Sequence, residues 1–279
     1  MTDPGADALD AFRGRIREYM LKAVREAKVH TSWVNRNQAY EEAVGAFVNA
    51  LLAPGSGNAF LGELLPFVRK LIPLGLYNSV SQTLLKLAAP GVPDIYQGTE
   101  VWDFSLVDPD NRRPVDYDRR AALLQDLASA AADPAARAGF ARSLLDNMTD
   151  GRIKLYVTWA TLQLRARHEP LFALGEYTPL RATGPRADHV LAFARRHGDE
   201  HLVVATGRLF GALDAGARPP VGSTVWAGAA IDAPAAARWL NVLTGETLET
   251  HDDSGAMRLA ADRVFATLPW ALLVPAVRE

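Results

Sequence analysis

Near residue 170 the hydrophobic pattern of this chain changes period, so no single kind of secondary structure accommodates all of it. Upstream, apolar residues recur every three to four positions, the spacing of an amphipathic helix; downstream they alternate in short runs, the spacing of strands. From 7 to 29, Leu9, Phe12, Ile16, Tyr19, Met20, Ala23 and Ala27 fall on one stripe with charged residues between them. Residues 39–52 repeat the pattern with Ala43, Phe47, Val48, Leu51 and Leu52, then stop at a Pro-Gly-Ser-Gly loop signal over 54–57. Two more helices are expected over 60–71 and 76–88, divided by Pro73 and Gly75, and three others over 117–132, 134–148 and 153–168. Beyond Pro170, strands are expected over 177–182, 189–196, 201–206, 238–243, 247–250 and 271–274, which reads as an all-β sandwich or barrel module of about 105 residues.

Between the helical groups lies 89–116, the stretch richest in chemistry. Pro90 and Pro93 bar a helix, while Val92, Ile95 and Tyr96 favour a short buried strand that Gly98 ends. A long polar loop follows, with Pro109 and Pro114 and no hydrophobic period. Helix, strand, charged loop and helix is the layout of an α/β-barrel unit, whose binding groups sit on the loops after the strands. Tyr96, Trp102 and Phe104 offer rings, Gln97 an amide, Glu100, Asp103, Asp108, Asp110 and Asp116 carboxylates, and Arg112 and Arg113 guanidinium forks. Rings beside hydrogen-bonding carboxylates and guanidiniums suit a sugar, which has an apolar face and a rim of hydroxyls. A loop in which the two arginines merely neutralise nearby aspartates accounts for the same residues.

Other candidates carry less. His30 and Trp33 follow a helix end and could face a cleft, or Thr31 and Ser32 could cap while the indole packs. His168, His189, His197, His201 and His251 show no metal-type pairing, and Ser32, Ser79 and Ser143 lack a nucleophile-elbow context. No glycine-rich phosphate motif is present, so hydride transfer and nucleotide hydrolysis lack support. Trp226, Trp239 and Trp270 are expected in the core of the β-module instead of on a glycan platform.

Composition narrows the classes. A net charge of −2 without a basic stripe gives no electrostatic reason for a nucleic-acid partner. With no cysteine there is neither a disulfide framework nor a thiolate metal site. Hydrophobic residues at 49% and charged at 22% describe a globular chain, and no stretch approaches the roughly 18 apolar residues of a membrane span. The first dozen residues lack the order of a secretory signal, so a cytoplasmic location is expected.

Residues 90–100, Pro-Gly-Val-Pro-Asp-Ile-Tyr-Gln-Gly-Thr-Glu, resemble the segment around the last barrel strand of α-amylase superfamily enzymes. The continuation 108–116, Asp-Pro-Asp-Asn-Arg-Arg-Pro-Val-Asp, narrows the resemblance to the malto-oligosyltrehalose synthase family, and 22–33, Tyr40-Glu41, 165–172, 175–177, 189–195 and 243–245 are similar to it as well. The resemblance implies the C-terminal part of a (β/α)8 barrel with an inserted helical subdomain, followed by a β-sandwich. The implied parts are a helical subdomain over 1–88, the last barrel strand, charged loop and closing helices over 89–170, and the sandwich over 171–279. It also implies a reaction without cofactor or metal, in which the reducing-end α-1,4 link of a malto-oligosaccharide is remade as an α,α-1,1 link. A retaining scheme with two carboxylates about 5–5.5 Å apart fits that exchange. The family's nucleophile, acid/base and third acidic residue lie in earlier barrel strands, and its His-Asp-Thr-Lys-Arg type of segment is absent here.

No catalytic residue is therefore expected in this chain, which should be inactive alone. Tyr96, Gln97, Glu100, Trp102, Asp108, Asp110, Arg112 and Arg113 are the candidate substrate contacts. Tyr96 and Trp102 would stack against or wall the sugar, and Arg112 or Arg113 would contact hydroxyls or brace the loop. Roughly 170 residues upstream of the β-module are too few for a barrel of about 250, so an N-terminal barrel half, on the same or a separate polypeptide, is the expected partner. A non-catalytic glucan-binding or assembly module is the alternative, and a self-contained hydrolase using Glu100 with Asp103 or Asp108 a weaker one.

Overall fold

The computed structural model describes residues 5–55, 57–213, 218–234, 238–253 and 255–276. The chain divides into two compact units, a smaller one of residues 1–72 with 103–115 and a larger one of residues 73–102 with 116–279.

In the smaller unit, α1 (Ala6–Ala27) and α2 (Gln38–Leu51) form where the three-and-four spacing places them. Asn37 caps α2 by accepting the Tyr40 amide at 3.2 Å. Leu9, Val48, Leu52 and Leu61 make the buried centre, with Ile16, Met20, Leu64 and Leu65 packed on it. Asn58 joins α2 to the following helix: its amide donates to the Leu51 and Ala53 carbonyls, and its Oδ1 accepts the Leu61 amide at 3.1 Å.

That following helix, α3 (Ala59–Ala88), corrects the expected pair of helices: it runs unbroken through Pro73 and Gly75. An interior proline costs about 3 kcal/mol. Burial of Leu76, Tyr77, Val80, Leu84 and Leu87 in the turns that follow outweighs it.

The remaining helices belong to the larger unit: α4 (Tyr117–Ala130), α5 (Arg137–Asp146), α6 (Arg152–Arg167) and α7 (Glu169–Leu174). The Asp116 carboxylate caps α4 by accepting the Arg119 amide at 2.9 Å. The expected barrel strand over 92–96 does not form: these residues pair with no strand, and Val92 is 98% exposed. A barrel strand exists through parallel ladders on both sides, and every ladder among the described residues is antiparallel.

Two antiparallel sheets follow. The six-stranded sheet runs β1 (Glu176–Leu180), β3 (Val190–His197), β4 (Glu200–Gly207), β10 (Trp270–Pro275), β6 (Arg238–Asn241) and β7 (Thr247–Glu249). The four-stranded sheet runs β2 (Ala182–Thr183), β5 (Ala230–Asp232), β9 (Ala256–Ala260) and β8 (His251–Asp253). Two single-turn helices, α8 (Ser223–Trp226) and α9 (Ala261–Val264), intervene. Strands β4 and β10 pair with Leu272 opposite Val204, and residues 202–205 and 270–273 are wholly buried. Covered on both faces, they read as continuous apolar runs instead of alternating ones.

The second half of α3 packs on this sheet. Ser81 Oγ accepts the Trp270 indole N–H at 2.8 Å and donates to the Gly207 carbonyl at 3.0 Å, while the Tyr77 ring meets Phe210 and Trp270. Trp226, Trp239 and Trp270 are all fully buried, in the core as expected. The most unusual core residue is Arg195 on β3, 1% exposed. Its fork donates to three main-chain carbonyls: Ala88 at the end of α3, and Phe172 and Gly175 at the end of α7. Both are helix C-termini, where a cation is favoured. Burial lowers the Arg195 pKa, and neighbouring Arg165 lowers it further.

Candidate functional site

The structure divides the expected contact residues between the two units: Tyr96, Gln97, Glu100 and Trp102 in the larger, Asp108, Asp110, Arg112 and Arg113 in the smaller.

In the larger unit, 89–102 is an irregular segment tied down by cations. Arg165 donates to the Leu87 and Gly91 carbonyls. Arg120 donates to the Gly98 carbonyl at 2.7 Å and pairs with Glu100 at 2.9 Å. Gln97 Oε1 accepts the Tyr117 hydroxyl at 3.1 Å. The Trp102 indole donates to the Met148 carbonyl at 2.6 Å, and the Lys154 ammonium lies 5.8 Å from its ring centre. Tyr96, 46% exposed, is the ring this segment leaves open to solvent.

In the smaller unit, the 103–113 loop is organised by Asp110. Its two carboxylate oxygens accept Arg15 Nε and Nη2 at 2.9 and 2.7 Å, and Oδ2 also accepts the Leu106 amide at 2.6 Å. The Arg15 guanidinium holds the Asp110 pKa down to about 2. Arg113 braces the loop through Ser105 Oγ and the Asp110 carbonyl, and Arg112 pairs with Asp108 at the surface. The loop arginines thus touch aspartates of their own loop, the arrangement that the neutralising reading describes.

Against this loop the smaller unit has a hollow of about 470 Å3, lined by Glu18, Leu21, Lys22, Arg25, Glu26 and Trp33 together with Asp108 and Pro109. Trp33, 55% exposed, lies with the Arg25 guanidinium 4.9 Å from its ring centre. Arg25 is fixed from behind by Glu41, whose Oε1 and Oε2 accept its Nε and Nη2 at 3.0 and 2.7 Å. Glu41 is 4% exposed and also accepts Arg36 and the Thr31 hydroxyl. Arg25 and Arg36 hold its carboxyl far below the usual carboxylate range. On the other side, the Lys22 ammonium donates to the Asp108 carbonyl. An indole face rimmed by two cations and three carboxylates suits a hydroxylated ring.

Thr31 and Ser32 do not cap a helix through their hydroxyls: Thr31 Oγ1 accepts the Asn37 amide, and Ser32 Oγ accepts the Asn35 amide. The residues that sequence reasoning missed are Arg25 and Glu41. A buried glutamate in a first helical turn reads as an ordinary surface acid, and only its hidden environment distinguishes it. Among the described residues, no group of three or more His, Asp or Glu side chains could hold a metal ion, and no helix is long and apolar enough to cross a membrane.

No family model matches the chain. A Mycobacterium tuberculosis protein (strain CDC 1551 / Oshkosh) named as a maltooligosyl trehalose synthase is 37% identical over 264 residues, 95% of this chain and 28% of the relative. The chain is related to the maltooligosyl trehalose synthases. A mutant of maltooligosyltrehalose synthase from Arthrobacter ramosus superposes with a TM-score of 0.71 and 32% identity, covering 95% of this chain and 30% of the enzyme. A Sulfolobus tokodaii structure named as a maltooligosyl trehalose synthase gives a TM-score of 0.62 and 28% identity, over 95% and 29% of the two chains. The chain therefore spans less than a third of the length of the maltooligosyl trehalose synthases it matches.

Proposed function

We propose that this chain is the C-terminal portion of a maltooligosyl trehalose synthase, contributing malto-oligosaccharide contacts to the conversion of a reducing-end α-1,4 link into an α,α-1,1 link. The observation that carries the reading is the 37% identity sustained over 95% of the chain. The proposed parts are the inserted helical subdomain over 1–88, the barrel-closing segment over 89–170 and a β-sandwich over 171–279. A cytoplasmic location and an α-amylase-type barrel completed by an N-terminal half belong to the same reading.

In this reading the chain supplies binding and no acid or base. The state of its carboxylates supports that: Glu100 pairs with Arg120, Asp108 with Arg112 and Asp110 with Arg15. A general acid at neutral pH needs a raised pKa, and that of Asp110 is pushed the other way. Tyr96 and Trp33 present apolar ring faces to the glucan, and Trp102 walls it. Gln97 and Glu100 reach its hydroxyls in the larger unit, as Asp108, Asp110, Arg112 and Arg113 do around the smaller unit's loop. Holding the released glucose until its anomeric hydroxyl can attack, with water excluded, is the work such contacts perform.

The test is loss of reducing ends from maltopentaose, followed for the chain alone and mixed with a polypeptide supplying the preceding part of a related synthase. No turnover alone and turnover on mixing is the expected result. Turnover by the lone chain would overturn it. Saturable maltopentaose binding without turnover under any mixing would leave only a glucan-binding module.

A further inference from the structure

Beside α4, α6 and Val242, the larger unit has a second hollow, of about 370 Å3, for which the glucan reading has no use. Ala128, Ala131, Ala132 and Ala160 line one part of it; Trp159, Gln163, Arg137 and Arg167 supply its large side chains, and no carboxylate lines it. Small side chains beside an indole leave room for a ring to lie against an apolar surface.

The polar groups are mostly donors. Arg137 gives its Nε to the Ala131 carbonyl at 3.1 Å, and Arg167 gives its Nε to the Gln163 carbonyl at 3.2 Å. Among the described residues, the terminal nitrogens of both forks have no acceptor. The one hydroxyl in the lining, Tyr156, is committed to the Leu243 carbonyl at 2.7 Å, and its ring backs the Trp159 indole at 6.1 Å.

Arg167 ends α6, while Arg137 opens α5 and gives its Nε to the carbonyl just past the end of α4, so capping alone would explain both Nε bonds. It does not account for the charge that remains. The C-terminal ends of α4 and α6 contribute about −0.5 each and the start of α5 about +0.5, so the two guanidiniums leave the hollow with a net positive charge of roughly one to two. Arg137 is also held in place by bare backbone: a Cβ on Gly245, at φ +75, would come within 2.9 Å of the Pro134 carbonyl and 3.5 Å of Arg137 Cβ.

We propose that this hollow binds a phosphorylated monosaccharide. The indole and alanine surface take the sugar ring, the Gln163 amide takes hydroxyls, and the terminal nitrogens of Arg137 and Arg167 take the phosphate oxygens, for which a guanidinium fork is matched in shape. The inference stands apart from the glucan reading, because it concerns other residues and an anionic ligand where the glucan is uncharged.

The test is calorimetric titration of the full chain with glucose 6-phosphate, inorganic phosphate and maltose, followed by the same titrations on Arg167→Gln and Trp159→Leu. Glucose 6-phosphate should bind with millimolar or tighter affinity, and each substitution should weaken it about tenfold. Circular dichroism and melting curves check the folding of both variants; Arg167 is exposed, so its variant should keep the core intact. Maltose should not compete. Absence of saturable binding up to about 20 mM, phosphate binding as tightly as the sugar phosphate, or affinity unchanged in both variants would overturn the proposal.

Discussion

Arg15 grips both carboxylate oxygens of Asp110, at 2.9 and 2.7 Å, across 95 residues of sequence. The pair fixes the 103–113 loop to α1, and its strength depends on Asp110 remaining ionised. An aspartate in an unfolded chain titrates near 3.9, whereas Asp110 is held down to about 2 by the guanidinium. The stability this adds is fully present above about pH 4 and is lost as the pH falls towards 2. The Leu106 amide donates to Asp110 Oδ2 and reports on the change. Its proton shift should titrate with a midpoint near 2; a midpoint at the ordinary aspartate value would mean that the pair does not form. Asp110→Asn should destabilise the loop by about 1 kcal/mol at neutral pH and remove that titration.

Trp33 is held by chemistry behind it and open in front, so its removal should affect binding more than folding. Trp33→Ala is expected to weaken maltopentaose binding about five- to tenfold while changing unfolding stability by no more than about 1 kcal/mol. Fluorescence or calorimetric titration beside a urea melt separates the two effects. Equal affinity in variant and parent would remove the hollow beside α1 from the glucan site.

Arg195 and Arg196 are neighbours on β3 with opposite surroundings, the first buried on carbonyls and the second exposed beside Glu176. Arg195→Ala leaves carbonyls of Ala88, Phe172 and Gly175 without their donor and opens a cavity, which should cost about 3 kcal/mol or more. Arg196→Ala should cost under about 0.5 kcal/mol. Urea midpoints of the two variants compare them directly, and similar values would contradict the assigned role of Arg195.

Gly184 and Gly255 both have positive φ, at +88 and +86, yet only Gly184 is crowded. A Cβ there would sit 2.0 Å from the Gly228 carbonyl, whereas one on Gly255 meets nothing within 4 Å. Gly255→Ala therefore measures backbone strain alone, about 1 kcal/mol, and Gly184→Ala adds a main-chain clash that should at least double the loss. Thermal melts of the pair give the difference; equal losses would show that the 184 and 228 turns separate at no cost.

The sequence carries these elements well, because apolar patterning is a local property: α1 and α2 lie where their three-and-four spacing puts them, and β3, β4 and β10 where their apolar runs do. It carries poorly whatever depends on distant partners. Pro73 reads as a break, but the residues that hold α3 together past it are buried by a sheet more than a hundred positions away. Strand β9 is not among the expected strands, since Ala256–Ala260 acquires its identity only from pairing with β5 and β8. In the candidate site, the run from Tyr96 to Arg113 is one loop in sequence and two places in the structure. Asp110 is drawn to Arg15, Glu100 to Arg120, and neither partner is marked by any local motif.

The 89–102 segment has a kinetic consequence. Arg165 and Arg120 grip its main chain at Gly91 and Gly98, and the Trp102 indole anchors its far end on the Met148 carbonyl. Fixing a free backbone costs about 1–2 kcal/mol per residue, and these contacts meet part of that cost at Gly91, Gly98 and Trp102. In the proposed barrel, a strand pairing along 92–96 would find both flanks of the segment already anchored, which narrows the search through loop conformations that its association requires.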